Sequence, residues 1–140
     1  MFKNLKVLEL SSVLAGPAVG MFFSELGAQV LKVENKTTNG DVTRKWKLPN
    51  EKKSDISAYF CSVNYNKNYV FLDFNNQKDR TNIKILIKDC DIVITNFKGE
   101  DASKFGINFE DCKRINPNII YAHIGGFKNN PNRVAFDIVL

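Results

Sequence analysis

Five short runs of aliphatic and β-branched residues recur along the chain, each separated from the next by a polar or helix-patterned stretch. Lys6–Leu10, Gln29–Val33, Tyr69–Asp73, Asp91–Thr95 and Ile119–Ile124 each have the length and composition of a mostly buried strand. Between the first two, Val19, Phe22, Phe23 and Leu26 follow helical spacing, with Pro17 where a helix can start and Gly27 where it can stop. Ile83, Leu86 and Ile87 form a second amphipathic stripe over residues 77–88. A third helix is expected over Phe109–Ile115, stopped by Asn116-Pro117. Strands that alternate with helices dictate an α/β fold, here a Rossmann-like parallel sheet flanked by helices. The polar stretch from Asn35 to Asp55, with Gly40 and Pro49, reads as a long surface excursion.

A chain of 140 residues can build one domain with a genuine core, and hardly two. Nothing approaches the roughly 20 apolar residues of a membrane helix, and the first ten residues lack the apolar block of a signal peptide. Cys61, Cys90 and Cys112 are scattered, odd in number and without a CxxC. They argue against a disulfide framework or zinc site and fit a reducing cytoplasm. With His123 as the sole histidine, a multi-histidine metal site is excluded. The net charge of +5 fits an anionic partner. Its lysines are spread from Lys3 to Lys128 with no recognised basic motif, which argues against nucleic acid, and a phosphate-bearing small ligand is equally compatible with the charge.

Four loops carry candidate chemistry. The first strand-to-helix turn, Ser11 to Pro17, is not GxGxxG. It either offers backbone N–H groups to an anion or simply lets helix and strand pack closely. After the second strand, Arg44 can clamp a phosphate; alternatively Asp41 caps a short helix and Arg44 is surface. Lys67, in the amide-rich loop Asn64 to Asn68, suits a phosphate or is merely solvated. Following the fourth strand, Phe97 can stack an adenine while Lys98 or Lys104 reaches a phosphate, or Phe97 can belong to the core. His123, inside an apolar strand, reads as a hydrogen-bonded core histidine.

Taken in order, these segments resemble one family. Val7-Leu-Glu-Leu10 with Leu14-Ala-Gly-Pro17, Leu26 to Glu34, and Gly40-Asp-Val-Thr-Arg44 are its first three motifs. Asn66-Lys67 before Phe71-Leu-Asp73, then Asp91 to Phe97, Phe105-Gly106, Asn116 to Tyr121, Ile124-Gly-Gly-Phe127 and Phe136-Asp137 continue the series. The chain is similar throughout to the family III CoA-transferases, the group that includes formyl-CoA transferase, carnitine CoA-transferase and α-methylacyl-CoA racemase.

The resemblance implies an N-terminal, Rossmann-like domain, here residues 1–140, that binds coenzyme A or acyl-CoA as substrate, with no tightly bound cofactor and no metal. By position, Leu14 and Ala15 would lie beside the nucleotide and Asn35 near the adenosine phosphate end. Asn66, Lys67 and Asn68, with Asn96, Phe97 and Lys98, would flank adenine and phosphates, and Lys104 would neutralise a phosphate. Asn68 and Lys98 stand where the family often has arginine-like text, and lysine lacks the planar fork. The family's nucleophilic aspartate would fall beyond this chain, so no catalytic residue is expected within it. Asp137 matches a supporting acid near the active site, and Phe136 replaces the racemase branch's histidine, which disfavours a racemase.

The apolar run from Val134 to Leu140 has no polar stop, so the chain is expected to be the truncated front portion of a longer, dimeric enzyme. The partner would be a C-terminal half or a second copy. Alternatives are a non-catalytic CoA- or nucleotide-binding module and, from another class, a structural or nucleic-acid-binding protein.

Overall fold

The computed structural model describes residues 1–53, 56–130, 132, 133 and 135. Five strands form one sheet: β1 (Lys6–Leu10), β2 (Gln29–Asn35), β3 (Asn68–Leu72), β4 (Ile92–Thr95) and β5 (Ile120–His123). Their order is β3-β2-β1-β4-β5 and every pairing is parallel. Parallel strands need crossovers: α1 (Ala15–Glu25) joins β1 to β2, α3 (Gln77–Asp89) joins β3 to β4, and α4 (Gly99–Phe105) with α5 (Phe109–Ile115) joins β4 to β5. The short α2 (Ala58–Ser62) precedes β3, with Ser57 Oγ accepting from Phe60 N at its start. The expected α/β, Rossmann-like architecture is thus the one that forms.

The period-two alternation of strand side chains divides the core. Leu8, Leu10, Val33 and Val93 face one side, where Ile83 and Ile87 of α3, Ala102 of α4 and Cys112 of α5 close over them. Val7, Val30, Ile92 and Ile94 face the other and pack with Phe23 of α1. Three residues sharing this second face, Glu9, Lys32 and Glu34, are charged and yet no more than 2% exposed.

Helices α2 and α4 carry no clear amphipathic signal in the sequence. Helix α4 buries Ala102 alone, so it leaves no stripe of apolar residues at helical spacing. The excursion after β2 is not all surface: 3-10 turns form at Lys36–Thr38 and Val42–Lys45, and Gly40, Asp41 and Thr43 are buried. Gly40 is required twice over. Its φ is +95°, and a Cβ there would stand 2.4 Å from Glu34 Oε2.

Candidate functional site

The chain runs outward from β1 to β3 and then returns to place β4 on the other flank of β1. Loops leaving the C-terminal ends of β1 and β4 therefore diverge, and open α/β sheets bind ligands in that crevice. A cavity of about 510 Å³ lies there, within the usual range for small-molecule sites. Its walls are the β1–α1 turn, the end of β2 with its 3-10 turn, the loop after β4 and the loop after β5.

The β1–α1 turn is fastened from two sides. Ser12 N donates to Asn96 Oδ1 at 3.1 Å, and Asn96 Nδ2 donates back to Ser12 O at 2.8 Å. Val13 N donates to Asp41 Oδ2 at 3.2 Å, with Oδ1 at 3.4 Å. Val13 itself has φ 71°, a left-handed conformation that costs a β-branched residue about 1–3 kcal/mol. Asp41 also accepts from Thr43 N and Thr43 Oγ1, so it caps the second 3-10 turn as the sequence allowed.

Under this turn lies a buried charge network. Lys32 Nζ donates to Glu9 Oε1 and Ser11 O, both at 2.7 Å, and stands 3.2 Å from Asp41 Oδ2. Lys67 Nζ donates to Pro17 O and Val63 O at 2.7 Å and to Asn64 Oδ1 at 3.0 Å, and stands 2.7 Å from Glu9 Oε2. Burial pushes the Lys67 ammonium below its usual range, opposed by the Glu9 carboxylate. Two cations facing two carboxylates keep the enclosed charge balanced, which a buried group needs in order to stay ionised.

A second pair lies beside the first. Arg44 Nε and Nη2 donate to Glu34 Oε2 and Oε1 at 2.6 and 2.5 Å. The guanidinium carbon sits 3.9 Å from the Phe60 ring centroid and 4.8 Å from that of Tyr69. The Glu34 hydrogen bond raises the Arg44 pKa. Arg44 is therefore neither a free phosphate clamp nor a surface cation; its fork is filled by Glu34.

Helix α1 can approach these charges because it is notched. A Cβ on Gly16 would lie 2.2 Å from Ser11 Oγ, and one on Gly20 would lie 1.9 Å from Glu9 Oε2. These two glycines, one turn apart, form a groove over the polar half of the sheet.

Six of the residues singled out from sequence meet at the cavity: Leu14, Ala15, Asn35, Asn96, Phe97 and Lys98. Asn35 Oδ1 accepts from Thr37 N and Thr37 Oγ1, which ties β2 to its turn. Phe97 is both lining and core, with Phe74 and Phe105 centroids at 5.2 and 5.7 Å. Lys98 is exposed at the cavity. The other four lie elsewhere. Lys67 is enclosed beneath α1, its side chain 2% exposed, which corrects its reading as a phosphate contact. Asn66 donates to Ser24 O, Asn68 begins β3 on the exposed surface, and Lys104 is exposed on α4; none lines the cavity. Asp137 and Phe136 lie outside the described residues.

His123 is also corrected. It is exposed at the end of the edge strand β5 and lines the cavity, since an edge strand leaves its terminal residue uncovered. Arg133, which lines the cavity with its guanidinium carbon 4.3 Å from the Phe127 centroid, had no signal in its Asn-rich surroundings. Cys90 and Cys112 are buried thiols, pushed up to about 12 by desolvation, while Cys61 is exposed. Among the described residues, no helix is long and apolar enough to cross a membrane.

The fold recurs among solved structures. The solved structure of a CaiB/BaiF family protein from Brucella suis matches 98% of this chain and 37% of its own with a TM-score of 0.89 and 37% identity. An acyl-CoA transferase from Fusarium pseudograminearum is 40% identical over 130 residues, 89% of this chain and 28% of that protein. Human succinyl-CoA:glutarate CoA-transferase is 38% identical over 140 residues, 98% of this chain and 31% of that protein. Formyl-CoA:oxalate CoA-transferase from Afipia carboxidovorans is 35% identical over 128 residues, 91% of this chain and 30% of that protein. The chain thus spans under a third of the length of these sequence relatives. The model of CoA-transferase family III matches residues 2–140, and this chain belongs to that family.

Proposed function

We propose that this chain is the coenzyme A-binding portion of a family III CoA-transferase that moves CoA between carboxylic acids. The observation that carries the reading is the cavity at the β1/β4 reversal. There a fastened backbone turn, the Phe97 ring and the cations Lys98 and Arg133 converge at the C-terminal end of the sheet. CoA offers a flat adenine, phosphate groups and a long amide arm. Phe97 suits the first, Lys98 and Arg133 the second, and Leu14, Ala15 and Asn35 supply the apolar and polar wall for the rest.

The chemistry would need groups from outside these 140 residues. A carboxylate nucleophile attacks the acyl-CoA carbonyl, the C–S bond breaks, and CoA leaves as thiolate with a mixed anhydride formed on the enzyme. The thiolate then attacks the enzyme's own acyl carbon, giving an enzyme thioester and releasing the donor acid. Within the present chain the task is to hold and orient the coenzyme. We place the protein in the cytoplasm, where its thiols stay reduced, working with a C-terminal region or a second copy that completes the active site.

Calorimetric titration with CoA tests this reading. Saturable binding, weakened about tenfold by Lys98→Ala through the loss of one charge-assisted contact and unchanged by Lys104→Ala, is the expected result. No binding at millimolar CoA by folded protein would overturn it.

A further inference from the structure

We infer that Asp41 is a positioning residue, a carboxylate clamp that holds the β1–α1 turn in its left-handed form and so shapes the wall of the coenzyme cavity. The inference rests on the reading of that cavity as a CoA site only for its functional consequence; the clamp itself stands on geometry.

Val13 is a β-branched residue at φ 71°, a conformation it would leave if nothing held it. Asp41 is what holds it, with both carboxylate oxygens within reach of the Val13 N–H. The Asp41 carboxylate is itself fixed. Its side chain is 1% exposed and accepts from Thr43 N and Thr43 Oγ1 at 3.1 and 2.8 Å. Lys32 Nζ stands 3.2 Å from its Oδ2 while also bonding Glu9 and Ser11 O. Its own N–H donates to Glu34 Oε2 at 2.8 Å. A fully ligated, enclosed carboxylate is a rigid acceptor, and the strained residue it grips lies next to Leu14 and Ala15 of the cavity wall.

The chain of contacts Lys67, Glu9, Lys32, Asp41, Val13 therefore runs from beneath α1 to the rim of the cavity. It gives the buried charges a role that a merely apolar core could not fill. An apolar side chain at 41 has no acceptor for the Val13 N–H, and the turn would relax to a right-handed or extended form.

Asp41→Ala and Val13→Gly test the clamp singly and together in the full chain, by thermal midpoint and CoA titration. Glycine reaches the left-handed region without a clamp. The expected result is that Asp41→Ala lowers the midpoint and weakens CoA binding about tenfold, and that adding Val13→Gly restores part of both losses. If Asp41→Ala alone does not fold, recovery of folded protein in the double variant is the same result. Strictly additive effects, or a double variant no better than Asp41→Ala, would overturn the clamp. Coupled midpoints in a protein that binds no CoA would instead keep the clamp and sink the coenzyme reading.

Discussion

Lys67 Nζ stands 2.7 Å from Glu9 Oε2 in a pocket closed over by Pro17 and Val63 carbonyls, so a lysine from the loop before β3 serves the sheet's interior. Lys67→Ala is accordingly expected to cost about 3 kcal/mol of stability by leaving half of the Glu9 carboxylate without its cation. A denaturant titration reads this directly. If Lys67 were a surface phosphate contact, the same change would spare stability and weaken only CoA binding.

Gly20 inverts an ordinary rule. Glycine-to-alanine inside a helix normally stabilises by roughly 1 kcal/mol. Here the added Cβ would fall 1.9 Å from Glu9 Oε2, and α1 must rise or the carboxylate must move. Gly20→Ala is expected to destabilise by about 1–3 kcal/mol in chemical unfolding. A more stable variant would mean that α1 does not sit on Glu9.

The inner strands β1, β2 and β4 were legible because parallel strands buried on both faces are near-continuous apolar runs, the edge strands β3 and β5 through their β-branched and aromatic composition, and all five fall within two residues of their expected positions. What escaped was the meaning of the exceptions inside them. Glu9 two residues after Val7, and Lys32 and Glu34 after Val30, share one face by simple alternation, and that face is buried. Charges there demand partners of opposite sign from elsewhere in the chain. Lys67 and Arg44 are those partners, but nothing local distinguishes a lysine among amides from a solvated one. Three of the four cavity walls, the loops that follow β1, β2 and β4, were legible as candidate chemistry. His123 was not, since an apolar strand sequence does not say that it will be an edge.

The thiols divide by burial. Cys61 is exposed while Cys90 and Cys112 are held at about 12, pushed up from 9.0 chiefly by desolvation. A thiol-reactive chromophore at pH 8 should modify Cys61 alone in native protein and all three after denaturation. Fast native reaction of all three would contradict the packing of α3 and α5.

The same thiols set an alkaline dependence. Above 9.0 the unfolded chain releases protons that the folded chain keeps, so the unfolded state binds fewer protons there. Their contribution to stability is full below 9.0 and is lost as pH rises toward about 12. Melting midpoints measured upward from pH 8 should fall, and Cys90→Ala with Cys112→Ala should flatten that fall while lowering the midpoint at pH 8.

Asn96 joins the two loops that flank the reversal by exchanging hydrogen bonds with Ser12. Asn96→Ala is expected to cost about 1 kcal/mol of stability but proportionally more CoA affinity, because the turn and the Phe97–Lys98 wall lose their common register. Equal stability and affinity losses would assign Asn96 a purely structural role.

Hydrogen exchange of the full chain with and without CoA tests the central claim most directly. Slowed exchange at residues 12–15 and 96–98, on either side of the β1/β4 crevice, is the expected result, with no change in the Asn66–Asn68 loop. Protection confined to the Asn66–Asn68 loop and Lys104, with residues 12–15 and 96–98 unaffected, would contradict it.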